Sequence, residues 1–599
     1  MKRRISLKRT IITLAFALLT TIVFAAKANP MPATIVQPDG KLLTIVLHGD
    51  EHAHYVATTD GVLLYREGNS YFVAKTDDDG ELCPTPFLAH NAGQRTADEL
   101  TAIGNQQRER FHLSQQRKAM RRAETLTPYV SNYFPHEGTP HAVVILAQFS
   151  DLSFKHDSLT TYEIFDQLLN AEGKPTHTLE TSLNANYGSV RKYFTDMSYG
   201  AFTPQFDIYG PITLPGTMKS YGKSENIAQL MKDACGAIDE RIDFTQYDSN
   251  GDGQVDLVYV IYAGHGECYS NNSEDFIWPK AGSTYGVNYD GINIIRYGVH
   301  CELGGDARTS TDINGIGLFC HEFSHTLGLP DLYTNANPAD DLGMEDWDLM
   351  DGGEYLGNNI GCWPCEYSPW EREVMGWSEM QTLTEAGDYE LLTLDQDGAV
   401  AYRIPFEGSE HEYLYLHNVQ QRGWNQRMRG HGMLAIHVMY NTDIVSSGDH
   451  PNSSPTSSKR VTIHPADGYL MSSYTAKALI NEDAEREPEI VAQYLAEYRS
   501  DPFPGTLNVT QLTDESEFPP VTFNDNLPLG KPILDIAENR GVISFTFLEK
   551  VIPMGISDIE PALPHAEHSP VYDLQGRRMK GNPSNKGIYI IGNKKYCKP

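Results

Sequence analysis

The chain has 599 residues, too many for one hydrophobic core, and its 40% hydrophobic and 10% aromatic content is that of a globular protein, which excludes a largely disordered chain. Its 47 Lys and Arg against 79 Asp and Glu give a formal net charge of -32. A surface this acidic repels nucleic acid and anionic membranes and suits a well-solvated exported protein.

Residues 1–28 read as a signal peptide. Lys2, Arg3, Arg4, Lys8 and Arg9 precede the mostly apolar run Ile11 to Ala26, and Ala26-Lys27-Ala28 supplies the small-x-small cleavage point. The run is short for a membrane anchor and is interrupted by Thr13, Thr20 and Thr21, so cleavage is favoured. No other stretch is long and apolar enough to span a bilayer, and the expected location is secreted or cell surface. The eight cysteines suit an oxidising compartment. Cys362-Trp363-Pro364-Cys365 has no second pair, so it reads as a disulfide or buried thiols and not as a structural zinc site.

Residues 29–125 are expected to form a pro-region. Thr34 to Asn91 alternates apolar and polar residues between Gly and Asp turns, the pattern of a small β-rich unit. Arg95 to Glu124 is polar and reads as helical, ending in Arg117-Lys118-Ala119-Met120-Arg121-Arg122, a basic joint suited to a processing protease or to a plain linker.

Residues 126–382 read as an α/β lobe. Strand-like Ala142 to Phe149, helix-like Ser189 to Gly200, strand-like Phe202 to Ile208, helix-like Glu225 to Ile242 and strand-like Asp256 to Ala263 alternate, as in a sheet that backs a site at its edge. Ahead of the last strand, Asp248, Asn250, Asp252 and Asp256 place oxygens at positions 1, 3, 5 and 9 of a loop. Gly253 stands at position 6 and the Gln254 carbonyl at position 7, matching the front of a calcium loop. Tyr259 stands where the bidentate glutamate belongs, so the expectation is a structural Ca2+ and the alternative a solvated Asn-Gly turn.

The most informative stretch is Cys320 to Asp331, a His-Glu-x-x-His-x-x-Gly-x-x-Asp motif. On a helix His321 and His325 share one face and can hold one ion. Glu322 is too close to the first histidine to ligate comfortably, but is well placed to take a proton from a water in the ion's open position. Gly328 permits the left-handed turn that ends the helix, and Asp331 can then swing back as the third ligand. Three ligands and an open position describe catalytic zinc; the alternative is a core helix with two satisfied histidines. Downstream, Met350 in a tight turn can floor the site, and the Tyr355 phenol can hydrogen-bond an oxyanion.

Residues 383–550 read as an all-β unit of short alternating strands such as Tyr413 to Leu416 and Met433 to Val438, with a turn-rich insertion around Ser446 to Ser458. Residues 551–599 comprise a Pro-rich joint near Pro561 to Pro570 and a short β tail.

Together the zinc motif, Trp347-x-Leu349-Met350-x-Gly352-Gly353, Tyr193-Phe194 through Ser198-Tyr199-Gly200, and Asp252-Gly253 through Ala263-Gly264 resemble the immune inhibitor A-like metallopeptidases, the M6 family of bacterial secreted zinc proteases. The resemblance implies an α/β (α+β) metzincin-like zinc protease domain between a β-rich pro-region and an all-β sandwich-like domain. It also implies His321, His325 and Asp331 as ligands, Glu322 as base and Met350 as the Met-turn residue. Leu416-His417-Asn418 departs from the family, where a Glu-Asn-Arg-like run is expected. Val571 to Arg578 and Gly587 to Ile591 resemble the sorting tails of the bacterial type IX secretion pathway, which implies secretion machinery as a partner; the alternative is a small terminal hairpin pair that closes the β domain. The expected function is a secreted zinc endopeptidase, made as a zymogen, that acts on protein or peptide substrates. Its rivals are a cell-surface adhesin with a non-catalytic protease fold and a zinc hydrolase of non-peptide amides.

Overall fold

The structure is a computed structural model that describes residues 23–25, 32–111, 134–439 and 451–548, apart from interior gaps such as 335–342, 453–459 and 472–478, together with isolated strands between 559 and 598. Nearly all of the export signal, the basic joint Arg117 to Arg122, most of the Ser446 to Ser458 insertion and the Pro-rich joint lie outside the described residues.

After a short strand β1 (Val23–Ala25), an antiparallel meander runs through β2 (Ala33–Val36), β3 (Leu42–Gly49), β4 (His54–Thr58), β5 (Leu63–Glu67), β6 (Ser70–Thr76) and β7 (Leu82–Leu88). Alternation along β3 buries Leu43, Ile45 and Leu47 on one face, as the period of two requires. Of the polar stretch expected to be helical, Ala97–Gly104 is helix, closed at its start by a reciprocal Thr96–Glu99 capping box.

The central sheet uses β8 (His141–Gln148), β9 (Gln205–Thr213), β10 (Val258–His265), β11 (Lys280–Ser283) and, beyond a hairpin of β12 (Asn288–Tyr289) and β13 (Ile292–Asn293), β14 (Arg296–Leu303). Its order is β1-β11-β14-β10-β8-β9. Strands β14, β10, β8 and β9 are parallel, and β11 is antiparallel to β14. Both faces are covered, so β8 and β10 read as continuous apolar runs. Successive residues feed different cores. Ala142, Val144, Leu146, Tyr259 and Ile261 face the core that holds Phe319 and Phe323. Val143, Ile145, Val258 and Val260 face the core shared with Leu43, Ile45 and Val73 of the N-terminal meander. A polar tie, Arg308 Nη1 to the Thr34 carbonyl at 2.6 Å, joins the same two units.

Beyond the sheet, β15 (Gln381–Thr382), β17 (Tyr402–Pro405), β18 (Glu412–Val419), β19 (Gly432–Met439) and β20 (Arg460–Ile463) form one sheet. The strands β16 (Gly387–Leu391), β22 (Val542–Phe547) and β21 (Ile533–Asn539) form a second. Leu391, Ile404, Leu414, Met433, Ile533 and Phe545 share the core between them. Asn418, in the run that departs from the family, donates to the carbonyls of Leu391 at 2.9 Å and Gly541 at 2.8 Å. The all-β expectation for this region is corrected by a helix, Glu487–Tyr498, which carries Pro488 in its first turn and buries Ile490 and Tyr498. A mixed α/β fold with few helices results. Among the described residues no helix is long and apolar enough to cross a membrane.

Candidate metal centre

The helix Ile316–Leu327 carries the centre, and all of its residues are buried. Gly328 ends it at φ +108°, a left-handed conformation that a side chain resists. The amides of Gly328 and Leu329 turn back onto the carbonyls of His325 and Ser324. That reversal returns the chain to the histidines three residues later.

His321 Nε2 and His325 Nε2 lie 3.2 Å apart, and Asp331 Oδ1 lies 3.1 Å from the first and 3.3 Å from the second. Each histidine donates its Nδ1–H to a backbone carbonyl, His321 to Leu349 at 2.9 Å and His325 to Leu329 at 2.8 Å. The Nε2 lone pairs therefore face each other and the carboxylate. Three electron-rich donors gathered this closely repel one another unless a cation stands between them. Zinc fits: ligands at about 2.0–2.1 Å in tetrahedral array lie about 3.3 Å apart. The electrostatics agree. Burial works against a charged His321, yet the carboxylates of Glu354, Asp331 and Glu322 hold its pKa well above the usual value, as though drawing a positive charge into the cage. For His325 burial prevails over Asp331 and lowers the pKa.

Glu322 is buried on the same helix, next to His321. Met350 is also buried. Its N–H donates to Asp348 Oδ1 at 2.8 Å, and its carbonyl accepts the Leu332 N–H at 2.8 Å, so the methionine turn and the Asp331 loop are bound to each other. The Tyr355 ring packs edge-on against Tyr269, centroids 6.3 Å apart, and burial holds its phenol well above the usual pKa.

The acidic loop before β10 is compact. Asp248 accepts the N–H groups of Gly251, Asp252 and Gly253 at 2.7, 3.0 and 2.9 Å, Asn250 accepts that of Asp252 at 2.9 Å, and Asp252 accepts that of Gln254 at 2.9 Å. Asp256 closes the loop by accepting the Ser249 N–H, and burial, with the charges of Asp248 and Asp252 nearby, pushes its pKa up to about 6. Tyr259 takes no part in these loop contacts as described; it stacks on Phe319, of the histidine helix, at 4.2 Å.

Residues 132–379 match the family model of the immune inhibitor A peptidase M6 catalytic domain. This segment resembles an M6 catalytic domain. The chain is 25% identical over 277 residues to the Immune inhibitor A of Bacillus thuringiensis subsp. alesti, across 39% of each protein. It is 22% identical over 285 residues to the pre-pro-metalloprotease PrtV of Vibrio cholerae strain M66-2, across 40% of this chain and 30% of that one. The chain thus spans less than half the length of these curated relatives.

Within the matched segment, one buried group escaped sequence reasoning. Glu354 Oε2 lies 3.9 Å from His321 Nδ1, and the Glu354 carbonyl rests directly on Gly317 in the first turn of the histidine helix. No periodicity marks such a residue; the only hint is the pair of glycines before it, Gly352 and Gly353. Cys362 and Cys365 are buried free thiols, and Tyr193 donates its hydroxyl to the Cys365 carbonyl at 2.7 Å.

Proposed function

We propose that the protein is a zinc-dependent endopeptidase, exported and made as a pre-pro-protein. The observation that carries this reading is the convergence of His321 Nε2, His325 Nε2 and Asp331 Oδ1 beside Glu322 in an M6 domain. Zinc held there supplies a Lewis acid that polarises a scissile carbonyl and acidifies water. The two histidines and Asp331 orient it, and their Nδ1 contacts to Leu349 and Leu329 keep the rings from turning. Glu322 takes the proton of the attacking water and returns it to the leaving amine. Tyr355, kept protonated by burial, is the donor assigned to the developing oxyanion. Met350 supplies the apolar floor of a metzincin-like centre.

In the same reading residues 1–28 are the signal peptide, 29–125 the pro-region, 126–382 the catalytic domain, 383–550 a sandwich-like β domain and 551–599 a linker with a sorting tail. The Asp248, Asn250, Asp252, Gln254 and Asp256 loop is assigned a structural calcium ion, supported by the spacing of its oxygen-bearing side chains and by the left-handed turns at Gly251 and Gly253.

The test compares processed parent and Glu322→Gln on a denatured protein substrate, with zinc measured in both. The variant is expected to retain zinc and lose about 10²- to 10⁴-fold in kcat. A parent that binds zinc yet cleaves no better than the variant would sink the endopeptidase reading in favour of a binding protein.

A further inference from the structure

The two histidine donors are set by one rigid helix, whereas Asp331 sits on a loop, so its position depends on what anchors that loop. The anchor is Leu332. Its N–H goes to the Met350 carbonyl, and its own carbonyl accepts Asn452 Nδ2 at 2.6 Å, from a residue 120 positions further along the chain. Asn452 is fully buried. Its other amide contacts both go to Val461 in β20: Nδ2 donates to the Val461 carbonyl at 2.6 Å, and Oδ1 accepts the Val461 N–H at 3.1 Å.

This amide is therefore a clasp between the edge strand of the β domain and the residue next to a metal ligand. The surrounding segments are tied the same way. Thr462 Oγ1 donates to the Gly343 carbonyl at 3.3 Å, Asp346 N–H to Tyr498 Oη at 2.6 Å, and Trp347 Nε1 to Asp501 at 2.9 Å. Asparagine is what the site demands. Two carbonyls and one N–H must be met at once by one short side chain, and only a primary amide offers two donors and an acceptor in that space. Aspartate has the same shape but meets both carbonyls with lone pairs; alanine leaves buried backbone groups unpaired.

We infer that Asn452 is a positioning residue for the metal centre: by fixing the Leu332 carbonyl to β20 it holds the Asp331 carboxylate at the two histidines, so the β domain completes the site. The inference rests on the zinc reading above. It gives the β domain a task inside the centre, separate from any contact with substrate.

The experiment uses the full chain as parent, Asn452→Asp and Asn452→Ala. Zinc affinity is measured by competition with a chromophoric chelator, and amide hydrogen exchange is followed across residues 329–333 in the metal-free protein. Both variants are expected to bind zinc about 10- to 100-fold more weakly, the scale on which groups that orient metal ligands act, with faster exchange at Leu332. Folded variants that bind zinc within about twofold of the parent overturn the role, even if their melting temperature falls. Should either variant fail to fold, Asn452→Ser, which keeps a short donor, decides by the same affinity criterion. A parent that binds no zinc removes the zinc reading and this role with it; a parent that binds, with undiminished variants, removes this role alone.

Discussion

Gly317 in the first turn of the histidine helix gives a prediction whose sign separates two arguments. By intrinsic propensity alanine is better than glycine in a helix by about 0.8–1.0 kcal/mol, so local reasoning expects Gly317→Ala to stabilise. The tertiary structure expects the opposite. A Cβ at Gly317 would lie 2.0 Å from the Glu354 carbonyl oxygen and 3.0 Å from its carbon. Carbon and oxygen rest comfortably at about 3.3 Å, so the helix and the Gly352–Tyr355 turn would have to part by about 1 Å or more. Neither partner is a side chain that can swing aside. The neighbouring approach has no slack: a Cβ at Gly315 would meet the Gly361 carbonyl carbon at 2.2 Å, and the Gly317 N–H already bonds the Gly361 carbonyl at 2.8 Å. Overpacking of this kind costs about 1–3 kcal/mol, and weakening a buried hydrogen bond adds about 1 kcal/mol. Less the propensity gain, the net destabilisation is about 2 kcal/mol, or about 4–8 °C in Tm for a unit of this size. Thermal melts of the full chain, parent beside variant, measure it. Gly104→Ala, where a Cβ meets nothing within 4 Å, serves as the control and is expected to be neutral or slightly stabilising. A Gly317→Ala protein that melts at or above the parent's temperature would refute the packing argument.

Two further outcomes are expected. His325→Ala removes one of the three converging donors and leaves the other two without the geometry of a closed set, so zinc measured in the purified protein drops to background; retention of one zinc per chain would place the ion elsewhere. In the acidic loop, the Asp256 pKa is raised from 3.8 to about 6. Its contribution to stability is therefore complete below about pH 4 and is lost as pH rises through about 6. A calcium ion offsets that loss only where the carboxylate is charged. Added Ca2+ should raise Tm more at pH 7.5 than at pH 5, and Asp256→Asn should remove the difference; equal shifts at both pH values would argue against Asp256 as a ligand.

Much of the chain's order of elements and the cluster of His321, His325 and Asp331 were legible in the sequence, because both follow from rules that act over a few residues. Histidines four apart share a helix face, glycine permits the left-handed stop at φ +108°, and Asp331 then has only three residues to cross. The ends of elements were less legible. The strand expected at Phe202 to Ile208 runs instead from Gln205 to Thr213, because pairing with β8 and not apolar content decides where it stops. The helix Glu487–Tyr498 was hidden in a region of strand-like patterning, its burial set by contacts with the Asp346 and Trp347 segment. Sequence alone determined which side chains gather as the His-His-Asp cluster, since periodicity and turn chemistry are written locally. Only the tertiary structure decided what holds those donors in place: Glu354 behind His321, the glycine-thin contact at Gly317, and Asn452 behind Asp331. Such contacts join backbone segments far apart in the chain, and no spacing along the sequence encodes which distant carbonyl a buried amide will meet.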